Sequence, residues 1–163
     1  MLARMAVLLA VLGVPELGAL AMPPAARAAM GAKAYPSCSL RHIAPLLAPL
    51  GRVVVLAPAE DTPELLYRTG VETVGSLYQH GVAGYLRDRA AWRARPGAAV
   101  PPQMLATGAR DVLFCPQPAR YILVADLPAD TLWDALAANH PPAWLQLRGT
   151  DAQGWRLYRI KRR

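Results

Sequence analysis

The chain is short of the residues that most often carry chemistry. Its 163 residues include three histidines, two cysteines and a single phenylalanine. His42, His80 and His140 have no ligand spacing with one another or with either cysteine, which excludes the common zinc motifs. No glycine-rich phosphate loop occurs. Val74-Gly75-Ser76-Leu77-Tyr78 lacks the second glycine of a serine nucleophile elbow. A net charge of +7 comes with no RNP motif, zinc finger or groove-reading helix, and its arginines, eleven of them after residue 85, are interspersed with apolar residues. No catalytic set, metal, cofactor or nucleic-acid partner is therefore expected, and the basic balance is assigned to a solvated or membrane-facing surface.

Aromatic residues are also missing from the first thirty positions, whereas all four tryptophans and all six tyrosines lie from Tyr35 onward. Arg4 precedes an apolar stretch from Met5 to Val14; Pro15 and Glu16 interrupt it, and a second run reaches Met22 before Pro23-Pro24. This order matches a secretory signal over residues 1–28, with Ala26-Arg27-Ala28 as the small-residue cleavage motif. A retained transmembrane helix over Met5 to Met22 is the other reading, but it would place Pro15 and Glu16 in mid-membrane. Either route delivers the remainder to the extracytoplasmic, periplasmic side. Residues 29–36 read as a linker, and 37–163 as one domain.

Within that domain the pattern alternates. Leu40, Ile43, Leu46, Leu47 and Leu50 recur at helical spacing, with Pro45 and Pro49 disturbing the second half. Arg52 to Ala57 is a continuous β-branched run suited to a strand covered on both faces. Asp61 or Thr62 caps a short helix with Pro63 in its first turn, ended by Gly70. Val71 to Tyr78 reads as a second strand and Val82 to Ala94 as a helix with Val82, Tyr85, Leu86 and Ala90 apolar. A short helix around Met104 and Leu105 and a strand over Asp111 to Cys115 follow. Asp130 or Thr131 then caps a helix over Leu132–Asn139. Trp144–Arg148 and Trp155–Ile160, flanking Gly149 to Gly154, carry a hairpin signal. The expected fold is α/β: a small layered sheet, parallel at its centre, with an antiparallel C-terminal hairpin and helices packed on it.

Cys38 and Cys115 are the only cysteines, and an even count in an exported chain favours one disulfide closing a loop of 77 residues. The densest polar cluster is Glu60-Asp61-Thr62-Pro63-Glu64 with Tyr67-Arg68-Thr69, just past the first strand's C-terminal end, where open α/β sheets bind ligands. Tyr78, Gln79 and His80 end the second strand, so parallel strands would bring both loops to one edge. Asp61, Glu64, Arg68, Tyr78 and His80 are the candidate ligand-binding residues; helix capping by Asp61 and Glu64 beside a solvated His80 is the plainer account of the same residues. Trp133, Trp144 and Trp155 suit core or hairpin packing better than a sugar-stacking platform.

Three stretches also carry a family likeness: Val54-Val55-Leu56-Ala57-Pro58, Pro63-Glu64-Leu65-Leu66-Tyr67-Arg68-Thr69 and Val74-Gly75-Ser76-Leu77-Tyr78. Together, over roughly residues 35–120, they resemble the C-terminal soluble domain of large bacterial multi-spanning proteins, themselves similar to the membrane glycosyltransferases (GT-C type) that use lipid-linked sugars. In that family a cysteine precedes the first strand and a Cys-Pro pair follows a later one, matched here by Cys38 and Cys115-Pro116. The family's Tyr-His-Arg-Asn is replaced by Tyr78-Gln79-His80-Gly81. Its catalytic and metal-binding residues sit in loops between membrane helices, which this chain lacks. The resemblance implies a non-catalytic accessory domain, a separately encoded counterpart or the tail of a longer gene. Its partner would be the membrane or a membrane protein, with a glycan or lipid-linked sugar close by. The alternative is a free periplasmic protein binding a small ligand in a crevice beside Asp61, Arg68 and Tyr78.

Overall fold

The β-branched run becomes the centre of the sheet. In the computed structural model, which describes residues 36–78, 81–117 and 127–161, β1 (Val54–Leu56) is flanked on both sides by parallel neighbours. These are β2 (Glu72–Thr73) and β3 (Asp111–Phe114). β3 pairs antiparallel with β5 (Arg156–Ile160), and β5 with β4 (Leu145–Thr150), giving the order β2-β1-β3-β5-β4. The fold is thus a five-stranded mixed sheet with a parallel centre and an antiparallel C-terminal hairpin. Residues 1–35, which hold the expected signal or anchor and nearly all of the linker, lie outside the described residues. Among the described residues no helix is long and apolar enough to cross a membrane.

Alternation along the strands separates two apolar layers. Val55, Leu113 and Leu157 face one side, where they meet Leu40, Ile43 and Leu47 of the segment around α1 (Ala44–Leu47) and Leu65 of α2 (Thr62–Arg68). Leu56, Val112, Phe114, Tyr158 and Ile160 face the other, under α3 (Val82–Trp92), α4 (Pro102–Ala106) and α5 (Leu132–Ala137). Trp92, Phe114 and Trp133 form an aromatic cluster there, with ring centroids 4.9–6.2 Å apart and Trp133 edge-on to both partners. Trp133, Trp144 and Trp155 are all buried, so their indole faces are core surface and offer no sugar platform.

Local chemistry accounts for several element ends. The leucine-rich helix is cut to one α-turn plus a 3-10 turn over Ala48–Leu50, because Pro45 and Pro49 each remove a backbone donor. Thr131 caps α5 in a full capping box: its hydroxyl accepts from the Asp134 amide, and the Asp134 carboxylate accepts from the Thr131 amide. The hairpin turn is held by Asp151, whose Oδ1 accepts from the amides of Gln153 and Trp155 at 2.9 Å each. A bulge between Leu147 and Gly149 shifts the β4–β5 register.

The disulfide joins Cys38 to Cys115, with Cα atoms 5.8 Å apart. Both residues are fully buried, and the amide of Cys38 donates to Gln153 O at 3.0 Å. The indole of Trp155 donates to Ser39 O at 3.1 Å. The bridge therefore fastens the segment that enters the domain onto the end of β3 and the turn of the hairpin.

Two expectations need correction. The second strand does not run from Val71 to Tyr78: it pairs only at Glu72 and Thr73, after which the chain leaves the sheet edge. A Cβ added at Gly75 would lie 2.7 Å from the Gly84 carbonyl, and one added at Gly84 would lie 2.6 Å from Val74 O. This glycine-to-glycine approach draws the loop onto the first turn of α3 and ends the pairing. The same contact sets the rotation of α3. Its buried residues are Asp88, Ala91 and Trp92, while Val82 and Leu86, read from the sequence as apolar positions of this helix, are exposed.

Candidate functional site

The polar cluster after β1 folds as a 3-10 turn over Ala59–Asp61 running directly into α2. Asp61 occupies the N-cap position of α2 but makes no side-chain capping bond, and it is only 1% exposed. Thr62 is equally buried, and its hydroxyl donates to Gly75 O at 2.6 Å, tying α2 to the loop after β2. One turn on, Glu64 and Arg68 form an i,i+4 pair at 2.7 Å on the partly exposed side of the helix. Tyr78 points outward at 63% exposure. His80 lies outside the described residues.

Of the residues expected to share a crevice, Asp61 and Arg68 therefore sit at opposite ends of α2. Asp61 is turned into the interior at one end, and Arg68 is occupied by Glu64 at the other. The cavity that Arg68 borders, about 400 Å³, is walled by Ala44, Leu47, Gly51, Arg52 and Thr69, with no contribution from Asp61 or Tyr78. Among the described residues no group of three His, Cys, Asp or Glu side chains is placed to hold a metal ion.

Sequence reading missed one ionisable group in this region. Asp88, on the inward face of α3, is 1% exposed, and neither carboxylate oxygen has a hydrogen-bond partner among the described residues. Burial pushes its pKa well above the ordinary aspartate value, and the nearby charge of Glu60 pushes in the same direction. The Trp92 indole, four residues on, opposes the rise, although its N–H completes no hydrogen bond of normal geometry. A stripe of Gly84, Asp88, Ala91 and Trp92 at helical spacing was the available signal. It was masked because Arg87 and Arg89 flank Asp88 and make it look like a surface ion-pair residue.

The sign of the effect on stability follows from proton linkage. Folded chain holds a proton on Asp88 that unfolded chain releases, so stability is greatest below the unfolded aspartate pKa of about 4 and falls as pH rises toward the raised folded value. Asp88→Asn removes this loss. The variant is expected to match wild type near pH 4 and to unfold at higher urea concentration by pH 8. Parallel midpoints across that range would show that Asp88 is not the titrating group.

No family model, curated protein or solved structure matches the chain. Function is therefore read from what the surface presents. Eight large apolar residues among those described are at least half exposed, and six of them fall between positions 66 and 86: Leu66, Tyr67, Leu77, Tyr78, Val82 and Leu86. They belong to α2, the loop after β2 and α3, which the Thr62–Gly75 bond and the Gly75–Gly84 approach hold together. Arg87 on α3 and Arg93 at its C-cap are exposed as well. A concentration of apolar side chains on one connected set of elements is uncommon on a surface that faces only water.

Proposed function

We propose that the folded unit is a non-catalytic extracytoplasmic domain that packs against a membrane glycosyltransferase-like protein. The exposed apolar residues of α2, the following loop and α3 support this reading most directly. Leu66, Tyr67, Leu77, Tyr78, Val82 and Leu86 provide aliphatic and tyrosyl contacts, and tyrosine with flanking arginine is a favoured composition for protein interfaces. The Cys38–Cys115 disulfide is compatible with an oxidising compartment, which is where a domain on the outer side of the inner membrane would reside. The likeness over residues 35–120 supplies the class of partner. The free ligand-binding alternative draws less support, since Asp61 is buried and Arg68 is paired with Glu64.

Site-specific photo-crosslinking in the native membrane tests the proposal. A crosslinker in place of Tyr67 or Leu86 is expected to capture a multi-spanning membrane protein of glycosyltransferase type. One in place of Leu147, exposed on β4, is expected not to. Equal capture from all three positions, or release of the whole chain as soluble protein with no adduct, would overturn it.

A further inference from the structure

The helical layer that covers Phe114 and Tyr158 leaves an opening at the far end of the sheet from α2. There the loop between α3 and α4 passes the start of β4 and the end of β5, enclosing a cavity of about 510 Å³. That volume is in the usual range for a small-molecule site. Ala98, Ala99, Val100, Leu105, Ala143 and Trp144 line it, and among the described residues Lys161 is the only charged one that does.

Three observations make this a formed site. The Trp144 indole donates to Gly97 O at 3.2 Å, which fixes the loop against the sheet. The amide of Lys161 donates to Trp144 O at 2.8 Å, so the last residue of the cavity wall is held by the sheet. The Lys161 side chain is exposed and has no carboxylate partner among the described residues, while Leu105 remains half exposed over the opening. Apolar walls with a single unpaired ammonium do not fit a sugar, whose hydroxyls would lose hydrogen bonds to water without replacement. They fit a molecule that is apolar along its length and negative at one end.

The geometry points to a binding site for a single-chain anionic amphiphile, its alkyl chain between Trp144 and the Ala98–Val100 loop and its acidic head on Lys161. This site is separate from the exposed face of α2 and α3, and it stands whether or not that face meets a membrane protein. Carboxylate and phosphate monoester heads share the required chemistry.

Titration of the full-length ¹⁵N-labelled chain with decanoate, decyl phosphate, decanol and decyltrimethylammonium, all below micelle-forming concentrations, tests the assignment. Both anions are expected to shift the Trp144 indole resonance and to bind roughly fivefold more tightly than decanol, the range of one exposed ion pair. The stronger of the two identifies the head group. Lys161→Gln is expected to erase the preference for the anions while retaining decanol binding. Ala99→Leu, at an exposed loop position, is expected to fill the cavity and weaken every ligand roughly tenfold. Binding of decyltrimethylammonium as tight as that of decanoate would overturn the proposal, as would an unmoved Trp144 resonance or Ala99→Leu protein that binds like wild type.

Discussion

Replacing Cys38 and Cys115 together by alanine is expected to lower the unfolding free energy by about 4 kcal/mol, the chain-entropy cost of opening a loop of this length. The bridge spans 77 residues and encloses β1, β2, β3 and the helices α1 to α4. Without it, the segment before α1 is held by few directional contacts: the Cys38 amide on Gln153, the Trp155 indole on Ser39 O, and the insertion of Leu40 and Ile43 beneath the sheet. Cys38 also has a positive φ of 49°, a backbone conformation that residues with a Cβ rarely adopt. A stability of 5–15 kcal/mol is usual for a domain, so this loss would remove a large share of the total. Guanidinium melts of the double variant, and of wild type with and without reductant, measure it. A deficit below about 1 kcal/mol would mean that the entering segment is anchored by packing alone, or that the unfolded chain already keeps these residues close.

The second large effect is expected at the other end of β3. Asp111 is fully buried and opposes Arg159 in the β3–β5 register, and Arg159 Nε donates to its Oδ1 at 2.7 Å. The other carboxylate oxygen, Oδ2, has no partner among the described residues. Arg159→Met keeps much of the side-chain volume but leaves a buried carboxylate with no counter-charge, and a cost of about 3 kcal/mol is expected. Coupling Arg159→Met with Asp111→Leu should recover most of the loss, because an apolar pair at a buried cross-strand position carries no desolvation penalty. The Arg52–Glu72 pair provides the control. Its bond is equally short, 2.7 Å, but the side chains are 85% and 48% exposed, so Arg52→Ala should change stability by less than about 1 kcal/mol. Urea unfolding of the three variants beside wild type separates these cases. If the two single arginine substitutions cost the same, burial is not what gives the Asp111 pair its strength.

How far the sequence was legible depended on whether the deciding interaction was local. The run Val53-Val54-Val55-Leu56 names a doubly covered strand, since no polar position remains to face water. Thr131 and Asp134 have capping-box spacing and form that box. The two apolar runs around Gly149–Gly154 pair as β4 and β5. The cysteine pair needs more than local information, but with two cysteines only one intramolecular bridge can be drawn. The second strand was over-read because alternation continues past Thr73, whereas the backbone follows the contact between Gly75 and Gly84.

The candidate site was less legible for the same reason. Asp61, Glu64 and Arg68 lie on one short helix and its N-cap, and proximity in sequence made them look like one cluster. The helix turns the first inward and the other two outward. Asp88 went unnoticed because its burial is a consequence of which side of α3 meets the sheet.

By itself, the sequence determined most of the elements, the Thr131 cap, the fold class and the disulfide, all of which follow from backbone preference, side-chain periodicity and a count of two thiols. Only the tertiary structure decided the rotation of α3, the exposure of Val82 and Leu86, the burial of Asp88 and the cavity beside Lys161. Each of these rests on how closely two distant backbones approach, at Gly75 with Gly84 and at Gly97 with Trp144. The absence of a side chain, or one indole N–H, permits that approach without announcing its partner.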